Sequence, residues 1–116
     1  MYAGIPSELQ LSESKSLALH TAVAAKLLAD PLVLLRARER AVAWLRDGSA
    51  HRWYADAWLE VLAGQPAQIA EFLTDVGQRA CALRQNSPFA GALTAQERKT
   101  ILQAFERRAS DEPRAA

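Results

Sequence analysis

The sequence has very few of the residues that build disulfides, metal centres or thiol chemistry. It contains one cysteine, Cys81, and two histidines, His20 and His51, in 116 residues. A single cysteine cannot form an internal disulfide and lacks the CxxC spacing of zinc or redox motifs. The histidines lie far apart in the sequence, and neither belongs to a His-x-x-x-His or Glu-x-x-His pair. We therefore expect no metal and no tightly bound cofactor.

The chain also lacks a charge excess and a long hydrophobic run. Its net charge of +1 gives no general attraction to nucleic acid or to anionic membranes. The longest apolar stretch, residues 17–28, is interrupted by His20, Thr21 and Lys26, and is too short and too polar to span a bilayer. The N-terminus has neither the basic segment nor the cleavage site of a signal peptide. These features predict a cytoplasmic protein with no membrane partner, and the Ala, Arg and Leu bias is typical of bacteria.

Patterns of β-structure and of phosphate binding are missing as well. There is no alternation of apolar and polar residues, no hairpin sequence, and no Gly-x-x-x-x-Gly-Lys or Gly-x-Gly-x-x-Gly motif. Asp56 and Glu60 are spaced for an acid–base pair on one predicted helix, but a solvated helix face is the favoured interpretation. An enzyme is the weakest of the functions considered, and we predict none.

What remains is a strong helical pattern in a chain that is 50% hydrophobic. Apolar residues recur at helical spacing, and Gly, Pro, Ser, Asp and Thr mark the ends of the helices. The predicted helices run from Ser12 or Ser14 to Ala29, from Pro31 to Asp47, from Ala50 to Ala63, from Pro66 to Gln85 with a break or bend at Gly77, and from Thr94 onward. We predict an all-α fold: a single compact bundle of five or six short helices over residues 12–108, between a loose arm (1–11) and a disordered tail (109–116).

The second helix combines an apolar stripe with a row of arginines. Leu32, Leu35, Val42 and Leu45 lie on or near one stripe, which is the pattern of a packing face.

Arginines on this helix and on the last helix form a possible nucleic-acid surface. The candidates for phosphate contacts are Arg36, Arg40, Arg98 and Arg107. Nearby carboxylates dilute both rows, and arginine stems often cover apolar helix edges while their charged heads stay in water. That second interpretation is favoured.

Two further features suggest a protein interface. Trp53 and Tyr54 are adjacent and point about 100° apart on a helix, so we expect that at most one of them is buried. The segment LRQNSPFAGALTAQER, residues 83–98, stops a helix at Pro88, turns at Gly91 and starts another helix. Its side chains at Arg84, Gln85, Asn86 and Phe89 either pin a folded corner, with the phenyl ring as a plug over the bundle, or form a surface that a partner recognises.

Three stretches of the sequence resemble a family of small bacterial helical proteins that are encoded by the first gene of two-gene modules. They are ESKSLALHTAVAAKLLADPLVLLRARERAVAWL, RWYADAWLEVLAG and especially LRQNSPFAG. The second gene of such a module encodes a nucleotidyltransferase-like or other toxin-like protein. The resemblance implies an antitoxin whose partner is the cognate toxin, with promoter DNA as a second possible partner.

The expected toxin interface comprises Trp53, Tyr54, Arg84, Gln85, Asn86 and Phe89. A small DNA-binding transcriptional regulator is the alternative function, and a small enzyme is a weaker one. The sequence leaves the oligomeric state and the chemistry of the toxin open.

Overall fold

The computed structural model describes residues 8–111, and the side chains of residues 10–108. This part of the chain is all-α and contains no strand, which confirms the predicted fold class. It forms six helices: α1 (Glu8–Ala29), α2 (Pro31–Asp47), α3 (Arg52–Leu62), α4 (Pro66–Leu73), α5 (Gln78–Arg84) and α6 (Ala95–Asp111).

Several helix ends follow from the residues that cap them. The Asp30 carboxylate accepts the Leu32 N–H at 3.0 Å, and Pro31 occupies the first helical position of α2. Gly48 ends α2 at a φ of 70°, in the left-handed region that favours glycine. At the start of α6, the Thr94 hydroxyl accepts the Glu97 N–H while Glu97 accepts the Thr94 N–H, which is the predicted capping box.

Other boundaries differ from the predictions. Helix α1 begins at Glu8, so its first turn includes residues that were expected to belong to the arm, and residues 1–7 lie outside the described range. Helix α6 continues to Asp111, into the expected tail, and residues 112–116 are likewise not described.

The predicted fourth helix is two helices. Helix α4 ends at Leu73 and α5 begins at Gln78. Between them the Asp75 carboxylate accepts the Gly77 N–H at 2.7 Å, a local bond that competes with continuation of the helix.

Trp58 lies at the centre of the core. Its ring is fully buried and packs edge to face against Phe72 and Phe89, with ring centroids 5.8 and 6.0 Å away. Its indole N–H donates to the carbonyls of Leu83 and Asn86, at 3.1 and 2.9 Å. One side chain of α3 thereby joins α4, α5 and the segment that follows α5.

Helix α2 packs through a different face from the one that its sequence pattern suggests. Its buried residues are Val33, Leu34, Ala37 and Ala41. The predicted packing stripe, Leu32, Leu35, Val42 and Leu45, is instead 41–51% exposed. The two alanines let the neighbouring helices approach the α2 backbone closely, whereas the larger leucines would hold them farther away.

No single helix within the described range is long and apolar enough to cross a membrane. Only the residues Gln10–Ala29 and Pro31–Asp47 together reach that length and composition, and they are bent by 116° at Asp30.

Candidate functional site: the 84–93 corner and the groove beside it

The segment of residues 84–93, which we call the corner, turns two of its predicted contact residues inward. The Arg84 side chain is buried, and its guanidinium donates to the carbonyls of Leu73 and Asp75 at 3.2 and 2.7 Å. It also contacts the Cys81 sulfur at 3.3 Å. Arg84 therefore satisfies the carbonyls at the end of α4, where the helix leaves acceptors without intrahelical partners.

Phe89 is the plug of this corner. Its ring is 4% exposed and rests on Trp58. Pro88 is also buried, and the Phe89 N–H donates to the Ser87 hydroxyl at 3.1 Å. In this conformation neither the Phe89 ring nor the Arg84 guanidinium lies on the surface.

His20 fastens the corner to α1. Its Nδ1 is 2.8 Å from the Ser16 carbonyl, which can only accept, so Nδ1 carries the proton. Its Nε2 then accepts from the Ser87 hydroxyl at 2.9 Å. Burial lowers the pKa of His20 below its usual 6.5, the bond to Ser16 opposes that shift, and the nearby charge of Arg84 reinforces it.

A serine and a histidine at this distance also resemble a nucleophile and its base. The Ser87 hydroxyl also accepts the Phe89 N–H, and His20 donates to a backbone carbonyl. These bonds lie within the turn or join it to α1.

A groove of about 740 Å³ runs along α1, the corner and α6. Its apolar lining consists of Leu19, Val23, Phe89, Leu93 and Leu102. Its polar lining includes Lys15, His20, Gln85, Asn86, Ser87, Arg98 and Glu106. The volume lies in the range of binding clefts, and the mixture of an apolar lining with a few polar groups is typical of such sites.

The groove carries more positive than negative charge. Lys15 and Arg98 have no ion-pair partner among the described residues, and Glu106 is the one carboxylate in the lining. Beyond its edge, Lys26 binds Glu97 at 2.6 Å, which lowers the pKa of Glu97. A cleft with two unpaired cations over an apolar lining suits a ligand that is partly apolar and partly acidic.

Four of the six predicted partner-binding residues line the groove. Gln85 and Asn86 line the groove, while Arg84 and Phe89 line it from buried positions. Trp53 and Tyr54 lie at the start of α3, with ring centroids 5.0 Å apart in an edge-to-face pair, and line no part of the groove. Trp53 is exposed and Tyr54 is half-buried, as their angular separation predicted.

The four arginines predicted to contact nucleic acid are similarly divided. Arg36 and Arg40 line a small pocket of about 130 Å³ with Lys26, beside the corner. Arg98 lines the groove, whereas Arg107 is exposed and lines neither cavity. Arg98 and Arg107 are nine positions apart, which places them on opposite sides of α6.

The other side chains considered for acid–base chemistry or metal binding make local contacts on the surface. Asp56 pairs with Arg52 at 3.3 Å, and Glu60 lies 3.7 Å from Arg79. His51 caps α3 by accepting the Trp53 N–H. Among the described residues, no group of three or more His, Cys, Asp or Glu side chains could hold a metal ion.

Sequence reasoning missed several groove residues. Lys15, Leu102 and Glu106 were not singled out, and the bond between His20 and Ser87 spans 67 positions. No local pattern connects residues so far apart. The one local signal was the break at Asn86-Ser87-Pro88, which located the corner without showing what it packs against.

No protein-family model, curated protein or solved structure shows significant similarity to this chain.

Proposed function

We propose that this chain is an antitoxin-like protein-binding module that neutralises a toxin encoded by a neighbouring gene. The resemblance of the LRQNSPFAG segment implies a nucleotidyltransferase-like or other toxin-like protein as this partner. The observation that carries the protein-binding part is the groove between α1, the corner and α6, which combines an apolar lining with unpaired cations.

The groove fits an acidic segment of a partner protein that also has an apolar side chain. The apolar residue would contact Leu19, Leu93 and Leu102, and carboxylates would lie near Lys15 and Arg98. Opposite charges of this kind steer a partner and fix its orientation. The bonds of Arg84 and of His20 hold the wall of the groove in place before the partner arrives, which lowers the entropic cost of binding.

Charge reversal in the groove tests this proposal. The double variant Lys15→Glu/Arg98→Glu should lose rescue of a host that expresses the neighbouring toxin. It should also bind the purified toxin more weakly, by about 2 kcal/mol or roughly thirtyfold. Both side chains are exposed, so the thermal midpoint should stay near that of the wild type.

Arg107→Glu is the matched control because it makes the same change on the opposite side of α6. It should rescue fully. Equal rescue by the double variant would reject the groove as the toxin site. A wild-type chain that neither binds nor neutralises the product of the neighbouring gene would reject the antitoxin proposal itself.

The alternative is a DNA-binding regulator, and the small pocket beside α2 favours it. Arg36 and Arg40 line this pocket together, beside Asp30 and the Lys26 that pairs with Glu97, so a phosphate bound there would contact the two arginines. Retention on promoter DNA that falls with salt, and that is lost in Arg36→Gln/Arg40→Gln but kept in Arg107→Gln, would support this function. Antitoxins can also bind their own promoters, so the two functions are compatible.

A further inference from the structure

We propose that the exposed apolar face of α2 is covered by α2 of a second copy of this chain, in a weak parallel homodimer. The α2 face consists of Leu32, Leu35, Val42 and Leu45, each 41–51% exposed. Leu32 and Leu35 lie about one turn apart, and so do Val42 and Leu45, so half-exposed large hydrophobic side chains recur along one side of this 17-residue helix, in contrast to a single exposed residue such as Val76.

The spacing of the face suits a helix that lies alongside it. Leu35 and Val42 are seven residues apart, so they lie close to one line along α2, the repeat by which two helices pack side by side. This line points away from Ala37 and Ala41, the residues through which α2 packs on its own core. One α2 helix can therefore bind its own fold and a second helix at once.

Charge identifies the occupant as a second copy. Arg38 and Glu39 lie about 50° to either side of the line through Leu35 and Val42. Arg38 is fixed in place because its guanidinium donates twice to the Leu62 carbonyl, at 2.9 and 2.7 Å. Glu39 is exposed and has no ion pair among the described residues.

Two copies related by a two-fold axis along the helices place Glu39 of each copy beside Arg38 of the other. An antiparallel pair would instead set Arg38 against Arg38 and Glu39 against Glu39. Arg38 and Glu39 are therefore complementary between the two copies in the parallel arrangement, as a two-fold interface requires of its central charges.

The dimer should be weak. Helix α2 is about 25 Å long. A face of that length buries less than the roughly 800 Å² per partner of a standard stable interface. We expect a dissociation constant on the order of 10 µM, so that the chain is monomeric when dilute and dimeric when concentrated.

Sedimentation equilibrium of the full chain, between about 1 and 200 µM, tests this. The wild type should pass from the mass of a monomer to that of a dimer. Leu35→Glu should remain a monomer at every concentration, and Glu39→Arg should weaken association at least about tenfold. Val76→Glu, the control at an exposed apolar residue away from α2, should dimerise like the wild type.

A wild type that stays monomeric throughout would overturn the inference, and so would a Leu35→Glu variant that dimerises as well as Val76→Glu. Should Leu35→Glu fail to fold, Val42→Lys and Glu39→Arg provide the same comparison. A monomeric wild type whose Leu35→Glu or Val42→Lys variant loses toxin binding would assign the face to the toxin instead. That result would reject the dimer and leave the proposed function standing.

Discussion

The corner and the α2 face differ in which side chains they bury and which they expose. The corner buries the guanidinium of Arg84, and its partly buried Ser87 hydroxyl bonds to the buried imidazole of His20 on α1. The α2 face leaves four large aliphatic side chains half exposed. A short connector thus encloses a charged side chain, whereas a leucine-rich stripe is left half exposed.

The difference shows what decides burial in a small bundle. Arg84 is buried because carbonyls at the end of α4 need donors, and each bond to them offsets the loss of water around the guanidinium. On α2, Ala37 and Ala41 occupy the interface because they permit close contact between helices. The availability of partners and the room for backbone approach outweigh the hydrophobicity of single residues.

The largest effect should come from removing the plug of the corner. Phe89→Ala should lower the free energy of unfolding by about 3 kcal/mol, because it leaves a cavity against Trp58. Urea denaturation at neutral pH measures this change. Trp53→Ala is the control, since that ring is exposed, and it should cost much less. Similar losses in both variants would mean that the corner is no more important to the core than the surface aromatic.

Replacing the buried guanidinium should have the next largest effect. Arg84→Met keeps the length of the side chain but removes the donors to Leu73 and Asp75, and should cost about 2 kcal/mol in unfolding free energy. Arg79→Met, on the exposed side of α5, should change the free energy of unfolding by about 0.5 kcal/mol or less. An Arg84→Met variant with unchanged unfolding free energy would show that water satisfies those carbonyls and that the corner is open to solvent.

These two regions also mark how far the sequence could predict the structure. The helices and several of their ends were predictable because Asp30, Gly48 and the Thr94–Glu97 pair act within a few residues of their own position. The position of the corner was predictable from Pro88. The groove was not, because it depends on three elements meeting, and its key bond joins His20 to Ser87 across most of the chain.

The prediction of the packing face of α2 was wrong for a related reason. Helical periodicity identifies an apolar stripe, but it does not state which neighbour the stripe meets. Here α2 has two apolar sides: Val33, Leu34, Ala37 and Ala41 face the core, and Leu32, Leu35, Val42 and Leu45 lie outside it. Only the positions of α1 and α3 distinguish them.

The burial of the His20 imidazole should make stability depend on pH. Because burial lowers the pKa of His20 in the folded state, the unfolded chain binds a proton more readily below about pH 6.5. Stability should therefore fall as the pH drops from 7.5 to 5.5. His20→Gln should be less stable at pH 7.5, since one link to the corner is weaker, but it should lose most of this pH dependence.

Above pH 5, the pH dependence of stability that comes from His20 can be separated from that of Asp47 and Glu97. The pKa values of Asp47 and Glu97 are both lowered, so these groups titrate below their usual range and contribute little to the slope between pH 7.5 and 5.5. Chemical denaturation at several pH values, with both chains in the same buffers, measures the difference. A wild type and a His20→Gln variant with parallel pH profiles would show that the His20 imidazole does not titrate on unfolding.

The smallest effect is expected on the α2 face, and it separates the two sides of that helix directly. Leu34 and Leu35 are neighbours, but one is buried and the other is half exposed. Leu34→Ala should cost about 3 kcal/mol, whereas Leu35→Ala should change the free energy of unfolding by about 0.5 kcal/mol or less.

The measurement belongs at about 1 µM protein, where the proposed dimer is dissociated and cannot add its binding energy to the stability of the wild type. At about 200 µM the cost of Leu35→Ala should grow, because the variant loses the stabilisation that association gives. Equal costs for Leu34→Ala and Leu35→Ala in dilute solution would show that α2 packs its leucine stripe inside the monomer, which would remove the exposed face and the homodimer together.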